Sequence, residues 1–421
     1  MEFREEHMRI AVKVCLALLL CFSAMSVVAL AQGQSGRVLV PDSSIERPED
    51  VGRRSHTNHL IFLRSEGLVI TSPSGETPAS LGCVYQITST PLSSGCPKSY
   101  TGPFDNPTGG VGTIAIVDAY DYPTAEYDLN NFSSTFGLPP CTKASGCFTP
   151  VYASGSKPRA NCGWAQEAAL DIEWAHAMAP NAKIILVEAA SNSNADLFKA
   201  VDVAYNQVIS TSGYGQVSMS WGGSESSSET SLDSHFINKP GVIFFAASGD
   251  SGGKVIYPSA SQYVVSAGGT TVNRTSGLFI PPSETAWSGS GGGPSKYESR
   301  PGFQSVISSI VGSQRGTPDF SFDANPSTGV SVYDSTSCQG LSGWLTFGGT
   351  SVASPSLAGI VNSAASTNST SKTQDELSLI YSDLGTAYLR DITSGAAGSF
   401  SATTGWDFVT GVGSDQGKGG K

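Results

Sequence analysis

The chain has 421 residues, a formal net charge of −11 at pH 7 and a charged fraction of only 14%. An acidic chain of this size is not expected to bind nucleic acid, because the phosphate backbone repels it. Its low charge and 48 glycines are typical of a large, loop-rich globular domain rather than of a disordered protein. We therefore expect a folded monomer that acts on something other than DNA or RNA.

The first 31 residues have the pattern of a secretion signal. Charges fall within residues 1–13, residues 14–30 are almost wholly apolar, and small residues precede Gln32. A membrane anchor is the competing interpretation, because the apolar run is nearly long enough to span a bilayer. No second long apolar run follows in the sequence. We therefore expect residues 1–31 to be removed and the rest to be secreted, extracellular and free of the membrane.

The cysteines indicate disulfide bonds. Cys15 and Cys21 leave with the signal, and the six that remain form an even set in a secreted chain. Short spacing favours Cys83–Cys96 and Cys141–Cys147, which leaves Cys162–Cys338 as a long-range bond. This is one of about fifteen possible pairings. The spacing does not resemble a zinc site.

The chain after the signal divides into a polar leader and an α/β domain. Residues 32–81 have little periodicity, whereas strand and helix patterns alternate from Gly110 onward. The predicted strands are 113–117, 183–187, 217–220, 242–247 and 263–267. The predicted helices are 125–136, 164–178, 194–207 and 352–365. Strands this apolar are typical of a mostly parallel sheet covered by helices on both faces.

The predicted helix 164–178 carries an unusual pair of acids. Glu167 and Asp171 are four residues apart and share one face, which also carries Trp174 and Met178. Burying a carboxylate without partners is costly, so a plain surface helix would not place acids there. The alternatives are a helix exposed all round or acids satisfied by arginine. The functional interpretation is a coupled pair whose pKa values are pushed apart for proton transfer.

A second motif presents a serine. In the sequence FGGTSVASP, a glycine pair leads to Ser351 at the start of an apolar segment that would be helical but for Pro355. Such a turn holds the hydroxyl clear of the backbone while its own amide faces a reacting carbonyl. The sequence therefore predicts Ser351 as a nucleophile.

A third motif places an acid where related chemistry uses an amide. In FAASGDSGG, Asp250 follows an apolar strand, and catalytic groups favour the carboxyl ends of parallel strands. Subtilisin-like enzymes have an asparagine in a similar string, whose amide donates to the oxyanion. An ionised carboxylate cannot donate a hydrogen bond, so only protonated Asp250 fits that role. A plain turn is the alternative.

The histidines argue against a Ser-His-Asp mechanism. After the signal they are His56, His59, His176 and His235. None lies in the H-G-T-x-x-A helix start that supplies the base in subtilisin-like enzymes. Asp118 and Asp121 resemble the aspartate of such enzymes, but without a partner histidine we expect them to be structural.

These motifs resemble the sedolisins, serine-carboxyl peptidases that share the subtilisin fold but use Ser, Glu and Asp. The matching strings, in the family's order across residues 82–413, are IAIVDAYDYP, QEAALD, EWAHAMAP, SWGG, ASGDSG and GGTSVASP. The resemblance implies an α/β, subtilisin-like three-layer fold with a mostly parallel central sheet flanked by helices. It also implies that Ser351 is the nucleophile, Glu167 its general base, Asp171 the group that orients Glu167, and Asp250 the protonated oxyanion donor.

This chemistry requires acid. A glutamate base works near its own pKa, roughly 4–5, where the oxyanion aspartate must keep its proton and a histidine would be protonated. We therefore expect peptide hydrolysis to be maximal below about pH 5. By the same resemblance, Ser220, Trp221 and Gly222 form the substrate-binding edge, which pairs with an extended peptide. A buried strand end with a core tryptophan is the equal alternative.

The resemblance also implies a calcium site near the C-terminus. Asp391 and Asp407 would give side-chain oxygens, and Ile392, Thr403 and Gly405 main-chain carbonyls. Such oxygens suit a hard cation. The family usually has glycine where this chain has Thr403, a change that a carbonyl ligand tolerates if the backbone angles do.

The expected organisation is a signal at 1–31, a short leader or prodomain remnant at 32–81 and a catalytic domain at 82–421. Sedolisins usually carry a longer prodomain, so we expect that activation works differently here, that the leader is a remnant, or that the reading frame is truncated. The predicted activity is serine-type endopeptidase, with tripeptidyl-peptidase action as an open possibility. The alternatives are an inactive secreted peptide-binding protein, a subtilisin-type protease, and a retaining glycosidase, whose paired acids would flank a sugar cleft.

Overall fold

The computed structural model describes residues 36–63, 69–90, 92–98 and 105–421. The predicted signal at 1–31, including Cys15 and Cys21, lies outside the described residues, as do parts of the leader. None of the helices in the described ranges is both long and apolar enough to cross a membrane.

The helices follow the predicted order, most of them with longer bounds. In chain order they are α1 Pro78–Val84, α2 Ala125–Phe136, α3 Cys162–Met178, α4 Asn194–Ser212, α5 Ser308–Val311, α6 Thr350–Ala364 and α7 Thr373–Ser382. Side chains cap the N-termini of two of the longest: Asn161 accepts from the Trp164 N–H, and Ser193 accepts from the Asp196 N–H. Such caps satisfy N–H groups that have no partner within the helix.

Many of the strands are short. In chain order they are β1 Arg37–Leu39, β2 His56–Thr57, β3 Leu60–Leu63, β4 Val69–Ile70, β5 Cys96–Pro97, β6 Thr113–Ala119, β7 Phe148–Tyr152, β8 Lys183–Ala189, β9 Gly215–Met219, β10 Trp221–Ser224, β11 Val242–Ala247, β12 Ile256–Tyr257, β13 Val265–Val272, β14 Leu278–Phe279, β15 Glu284–Ala286, β16 Gly293–Ser299, β17 Gln314–Thr317, β18 Phe320–Asp323, β19 Val330–Cys338, β20 Leu341–Gly348, β21 Leu389–Arg390, β22 Ala396–Ala397, β23 Phe400–Ser401 and β24 Ser414–Asp415.

A ten-stranded sheet forms the centre of the molecule. Its order is β21-β24-β18-β13-β11-β9-β6-β8-β7, with β15 paired to β13. Every neighbouring pair from β24 to β7 is parallel, and only the β21–β24 and β13–β15 pairs are antiparallel. Strand β6 is buried along its whole length, as expected for a parallel strand covered on both faces. The predicted α/β fold with a mostly parallel sheet is confirmed.

Helices cover both faces of this sheet. Val117 and Val217 point to the face on which α4 packs, and they share one apolar cluster with its Val201. Side chains alternate between faces along a strand, so Ser218 points the other way, where its hydroxyl lies 2.8 Å from that of Ser354 in α6. The sheet therefore lies between α4 on one face and α6 on the other.

Helices α3 and α6 pack closely, and this contact positions the site. A Cβ on Gly359 of α6 would lie 2.6 Å from the Cβ of Met178 in α3, so only glycine fits there without a shift. Pro355 lies inside α6 and has no N–H to offer the carbonyl of Ser351. That carbonyl lies 3.3 Å from the Ser220 hydroxyl, which donates to Asp171. The first turn of α6 therefore lies beside the residue that follows β9.

All three expected disulfide bonds are present: Cys83–Cys96, Cys141–Cys147 and Cys162–Cys338. The last joins residues 176 apart and connects the first residue of α3 to the last of β19. A cross-link over so long a loop restricts the unfolded chain strongly.

The described part of the leader packs with the domain that follows it. Residues 38–62 belong to the same compact unit as the described residues from 69 onward. In that unit, β2 pairs with β10 and β3 pairs with β20, both antiparallel. The domain start expected at residue 82 falls inside α1.

Candidate active site

Ser351 is the second residue of α6, directly after a sharp turn. Gly349 has a φ of 97°, and a Cβ there would overlap the Asn58 carbonyl oxygen and the Asp250 carboxylate. The Ser351 N–H donates to the Asn58 carbonyl at 3.0 Å. Its hydroxyl donates to the Ser220 carbonyl at 3.2 Å. The nucleophile predicted from the sequence therefore faces a main-chain carbonyl of the leader.

The two acids of α3 lie beside this serine. Glu167 Oε2 accepts a hydrogen bond from the Asn58 N–H at 3.1 Å, and Asp171 Oδ1 accepts one from the Ser220 hydroxyl at 2.7 Å. Both residues are fully buried. The sequence argument placed them on an apolar stripe, but every residue of α3 after Cys162 is buried, so the helix has no solvent face.

Burial governs the titration of this pair. It raises the pKa of Glu167 well above the usual range, while the nearby Ser351 hydroxyl and the hydrogen bond from the Asn58 N–H oppose the shift. Burial also raises the pKa of Asp171, with the charge of Glu167 adding to it. Because each negative charge disfavours the other, the pair holds a proton at pH values where free carboxyls have lost theirs.

Asp118 is a third carboxyl in this cluster, at the end of β6. Neither of its oxygens has a hydrogen-bond partner, and it is almost fully buried. Burial raises its pKa, and the charges of Asp171 and Glu167 raise it further. The sequence predicts a structural role for Asp118. Its position next to the acid pair follows from β6 lying beside α3, which motif spacing alone did not indicate.

Asp250 meets the requirement for a neutral donor. Its Oδ1 accepts from the N–H and the hydroxyl of Thr350, both at 2.8 Å, whereas its Oδ2 is buried without a partner. Burial raises the pKa of Asp250 to about 7, against the effect of the Thr350 hydrogen bonds and of His59. In acid the carboxyl is therefore protonated, with one oxygen free to donate.

The predicted substrate-binding edge is already paired with the leader. Trp221 lies opposite Thr57 and Gly222 opposite His56, and the Ser220 carbonyl accepts from the Asn58 N–H at 3.1 Å. Meanwhile the Trp221 ring is fully buried, and its Nε1 donates to a carbonyl of β6 at 2.7 Å. The two interpretations of this segment are thus compatible, since the backbone pairs while the side chain belongs to the core.

His59 is the site residue that sequence reasoning missed. Its Nδ1 lies 2.9 Å from Glu167 Oε2, and its ring stacks on Phe347 with the centroids 5.2 Å apart. Burial lowers its pKa to about 4. No local signal predicts this contact, because the partners are 108 residues apart. His176 and His235 lie elsewhere, on the Pro139 carbonyl and on Asp202.

The residues of the predicted calcium site come from two segments, one after β21 and one after β23, which a hydrogen bond joins. Asp391 Oδ2 accepts from the Gly405 N–H, and Asp407 Oδ2 accepts from the Thr403 N–H, both at 3.0 Å. Two carboxylates therefore bracket the turn whose carbonyls the prediction assigns to the ion. This all-oxygen set fits a hard cation. Another cluster, of Cys141, Cys147 and His176, does not suit a metal, since its two sulfurs form a disulfide bond.

The chain resembles known peptidases. The model of the subtilase family matches residues 158–413. Sedolisin from Pseudomonas sp. (strain 101) is 37% identical over 177 residues, which are 38% of this chain and 28% of that protein. Kumamolisin from Bacillus sp. (strain MN-32) is 34% identical over 282 residues, or 59% of this chain and 49% of that protein. The matches thus span between about a quarter and a half of these curated relatives.

Solved structures of peptidases are also similar to this chain. Pseudomonas sedolisin in complex with pseudo-iodotyrostatin has a TM-score of 0.64 at 25% identity, covering 82% of this chain and 96% of that one. An S41 psychrophilic protease has a TM-score of 0.52 at 20% identity, over 82% of this chain and 99% of its own, and indicates a shared fold.

Proposed function

Because the chain belongs to the subtilase family, and within it to the sedolisins, we propose that it is an acid-active serine-carboxyl peptidase. One observation carries this proposal: a single leader residue, Asn58, contacts the machinery through both its main-chain N–H and its main-chain carbonyl. Its carbonyl accepts from the Ser351 N–H, and its N–H donates to Glu167 and to the Ser220 carbonyl. A bound peptide substrate would meet the same groups.

The first step is attack by the serine. The Ser351 hydroxyl lies near enough to Glu167 to lower the pKa of that carboxyl against the effect of burial. Glu167 accepts the hydroxyl proton as oxygen attacks the peptide carbon, and then returns it to the departing amine. Asp171 lies one turn along α3 from Glu167. Its protonation state changes the electrostatic environment of Glu167 and therefore its basicity.

Two donors stabilise the negative oxygen that forms. One is the Ser351 N–H, which already donates to a carbonyl in the cleft. The other is the protonated Oδ2 of Asp250, which has no other partner and, like the Asn58 carbonyl oxygen, borders the space beside Gly349. Thr350 keeps the first oxygen of Asp250 engaged, so the proton belongs on the second. Removing one such donor typically costs about 10²–10³ in kcat.

Substrate is held by strand addition. The edge at 220–222 offers main-chain groups to an extended peptide on one side of Ser351, and β20 offers its edge on the other. Because chain runs through the cleft on both sides of the serine, the site suits cleavage inside a peptide, and we propose endopeptidase action. Tripeptidyl-peptidase action would need a barrier on one side.

A structural calcium ion and secretion complete the proposal. Asp391 and Asp407 would bind the ion with their side chains, and Ile392, Thr403 and Gly405 with their carbonyls. A bound ion would cross-link the C-terminal turns and take no part in proton transfer. The three disulfide bonds support an oxidising, extracellular destination.

A peptide-cleavage assay near pH 4 tests this function. We expect Ser351→Ala and Glu167→Ala each to lose about 10⁴-fold or more in kcat, whereas Glu126→Ala, a change of a half-buried acid on α2, should act like wild type. Equal activity in all variants would end the peptidase assignment. Survival of activity in Glu167→Ala alone would indicate subtilisin-type catalysis, and peptide binding without turnover in wild type would indicate an inactive scaffold.

A further inference from the structure

The leader is enclosed between two walls before it reaches the nucleophile. One wall is the edge of β10, where Gly222 lies opposite His56. The other is the loop between β8 and α4, where Ser193 pairs with Arg54 in an isolated antiparallel bridge. Ser55, between these pairings, is only 3% exposed. An extended peptide in the groove between β10 and this loop therefore meets main chain on both sides.

Asn192 in this loop holds the leader through its main chain and its side chain. Its main-chain carbonyl accepts a hydrogen bond from the Ser55 N–H at 3.0 Å, and its side-chain Nδ2 donates to the Ser55 carbonyl at 2.9 Å. Counting back from Asn58, whose carbonyl accepts from the Ser351 N–H, Ser55 is the fourth residue. One asparagine therefore binds both main-chain groups of that fourth residue.

Tyr120 sets the direction of the Asn192 amide. Its hydroxyl donates to Asn192 Oδ1 at 2.9 Å, and Arg54 of the leader donates to the same oxygen at 3.1 Å, so Nδ2 is turned toward the Ser55 carbonyl. The Tyr120 ring is buried, with the Arg159 guanidinium 5.1 Å from its centroid. Its φ of 69° is in the left-handed region, which residues other than glycine rarely adopt. Such strain is concentrated at functional sites, and here it accompanies a hydroxyl directed at the groove.

From these contacts, and resting on the proposed function, we propose that Asn192 binds the fourth substrate residue before the cut, with Tyr120 as its positioning residue. A substrate gains both hydrogen bonds only when its chain extends to that residue. A peptide with three residues before the cut lacks both groups, and its ammonium lies beside the Nδ2–H donor. The groove stays open beyond this point, since the Arg53 carbonyl accepts from the Asn194 N–H at 2.8 Å. The enzyme therefore selects bonds with at least four residues on their amino side.

The test uses the full chain at pH 4 and three peptides that share one sequence around the cut. The first begins with a free amine on the third residue before the cut, the second has an acetyl group on that amine, and the third has acetyl-alanine there instead. The acetyl group supplies the carbonyl that Asn192 Nδ2 binds, and the alanine adds the N–H that the Asn192 main chain binds. We expect kcat/KM of wild type to rise by about 3–10-fold at each of the two steps, the usual effect of one hydrogen bond.

Variants separate the side chain of Asn192 from its main chain. Asn192→Ala keeps the main-chain carbonyl, so we expect it to reduce the first rise by about 3–10-fold and to keep the second. Tyr120→Phe loses only the orienting hydroxyl and should reduce the first rise by a smaller factor. Asn130→Ala, whose side chain donates to the Glu126 carbonyl within α2, should behave like wild type. Each rise is a ratio measured in one protein, so a variant with less folded enzyme, or with a cleft occupied to a different extent by the leader, gives the same ratio.

The outcomes distinguish this inference from the proposed function. Hydrolysis of the peptides with the same two rises in wild type and in Asn192→Ala would overturn the inference and leave the peptidase assignment intact. A preference of wild type for the free-amine peptide, with release of a tripeptide, would also overturn it and would show tripeptidyl-peptidase action. If wild type hydrolyses none of the three peptides, the proposed function and the inference fall together.

Discussion

At the scale of single residues, the unpartnered oxygen of Asp250 decides how the site responds to pH. Thr350 satisfies one oxygen, and burial raises the pKa of the carboxyl to about 7. A proton on the free oxygen makes the group a donor, while its loss places a negative charge where a negative oxygen must form. Aspartic acid and asparagine at position 250 therefore have nearly the same shape, but only the acid loses its donor proton as the pH rises.

This difference predicts the behaviour of Asp250→Asn. An asparagine amide donates at any pH, so any loss of activity that follows deprotonation of Asp250 near pH 7 should disappear. We expect the alkaline limb of the kcat/KM profile to move to higher pH, with activity near pH 4 reduced by less than about tenfold. The measurement is a pH profile beside Asp202→Asn, a change of a partly exposed acid bound to His235 and Lys239. An unmoved alkaline limb would remove Asp250 from the oxyanion role.

Asp118 allows a second test at this scale. A carboxyl without hydrogen-bond partners and with a raised pKa is neutral in acid, so asparagine imitates its working form. We expect Asp118→Asn to keep activity at pH 4 within about threefold, since one neutral polar group replaces another. A loss of about 10² or more in kcat at pH 4, with unchanged melting temperature, would mean that a proton moves through Asp118 itself.

The sequence alone does not show which residues that are distant along the chain meet at the site. Glu167, Asp171, Asp250 and Ser351 each sit in a short string with a chemical signature, and the structure brings all four to one cleft. Their catalytic roles stay predictions. Asn58 and His59 carry no such string, because their contacts depend on two strands of the leader finding distant partners. Only the fold supplies that information.

At the scale of elements, the contact between α3 and α6 keeps acid and nucleophile in register. A Cβ at Gly359 would meet the Cβ of Met178 at 2.6 Å, and main-chain atoms of α3 lie just behind it. We therefore expect Gly359→Ala to lower the free energy of unfolding by about 1–3 kcal/mol, the usual cost of overpacking. Gly302→Ala, where no atom lies within 4 Å of the added carbon, is the matched control. Equal melting curves would refute the close packing.

The C-terminal turns give an element-scale test of the calcium proposal. A ligand that binds only the folded state stabilises it in proportion to the logarithm of its free concentration. We expect a calcium chelator to lower the melting temperature of wild type, and added calcium to restore it. Asp391→Asn, which alters an exposed side chain, should abolish the response. A melting temperature indifferent to calcium in wild type would contradict the site.

The sequence predicts the long helices and strands but not the shortest strands. The helix predicted at 125–136 coincides with α2, because its apolar spacing repeats over three turns. Strands β21 to β24 have two residues each, too few for any periodic pattern to emerge. Helix α6 begins at Thr350, two residues before the predicted start, because the helix follows directly after the turn at Gly349, inside the serine motif.

At the scale of the whole molecule, buried carboxyls couple folding to acid. Burial raises the pKa values of Asp334, Glu188 and Glu376 to about 7. In the unfolded chain such groups titrate near pH 4, so between about pH 4 and pH 7 the folded state binds more protons than the unfolded state. Stability from these groups is therefore present in acid and falls as pH rises.

This sign predicts a higher melting temperature at pH 4 than at pH 7. Glu376→Gln should raise the melting temperature at pH 7 and leave it nearly unchanged at pH 4, because glutamine cannot ionise. Glu49→Gln, on an exposed acid, should change neither. The test is the melting temperature, measured by circular dichroism at both pH values. A protein that becomes more stable as the pH approaches neutrality would contradict this prediction.

The proposed mechanism depends most on a carboxylate, rather than an imidazole, taking the serine proton. The most direct measurement is the pH profile of kcat/KM for a reference peptide, in wild type and in Glu167→Gln. We predict a wild-type maximum on the acid side of the deprotonation of Asp250 near pH 7 and a loss of about 10⁴-fold in the variant at every pH. A wild-type maximum near neutrality, or a variant that keeps wild-type rates, would contradict the mechanism.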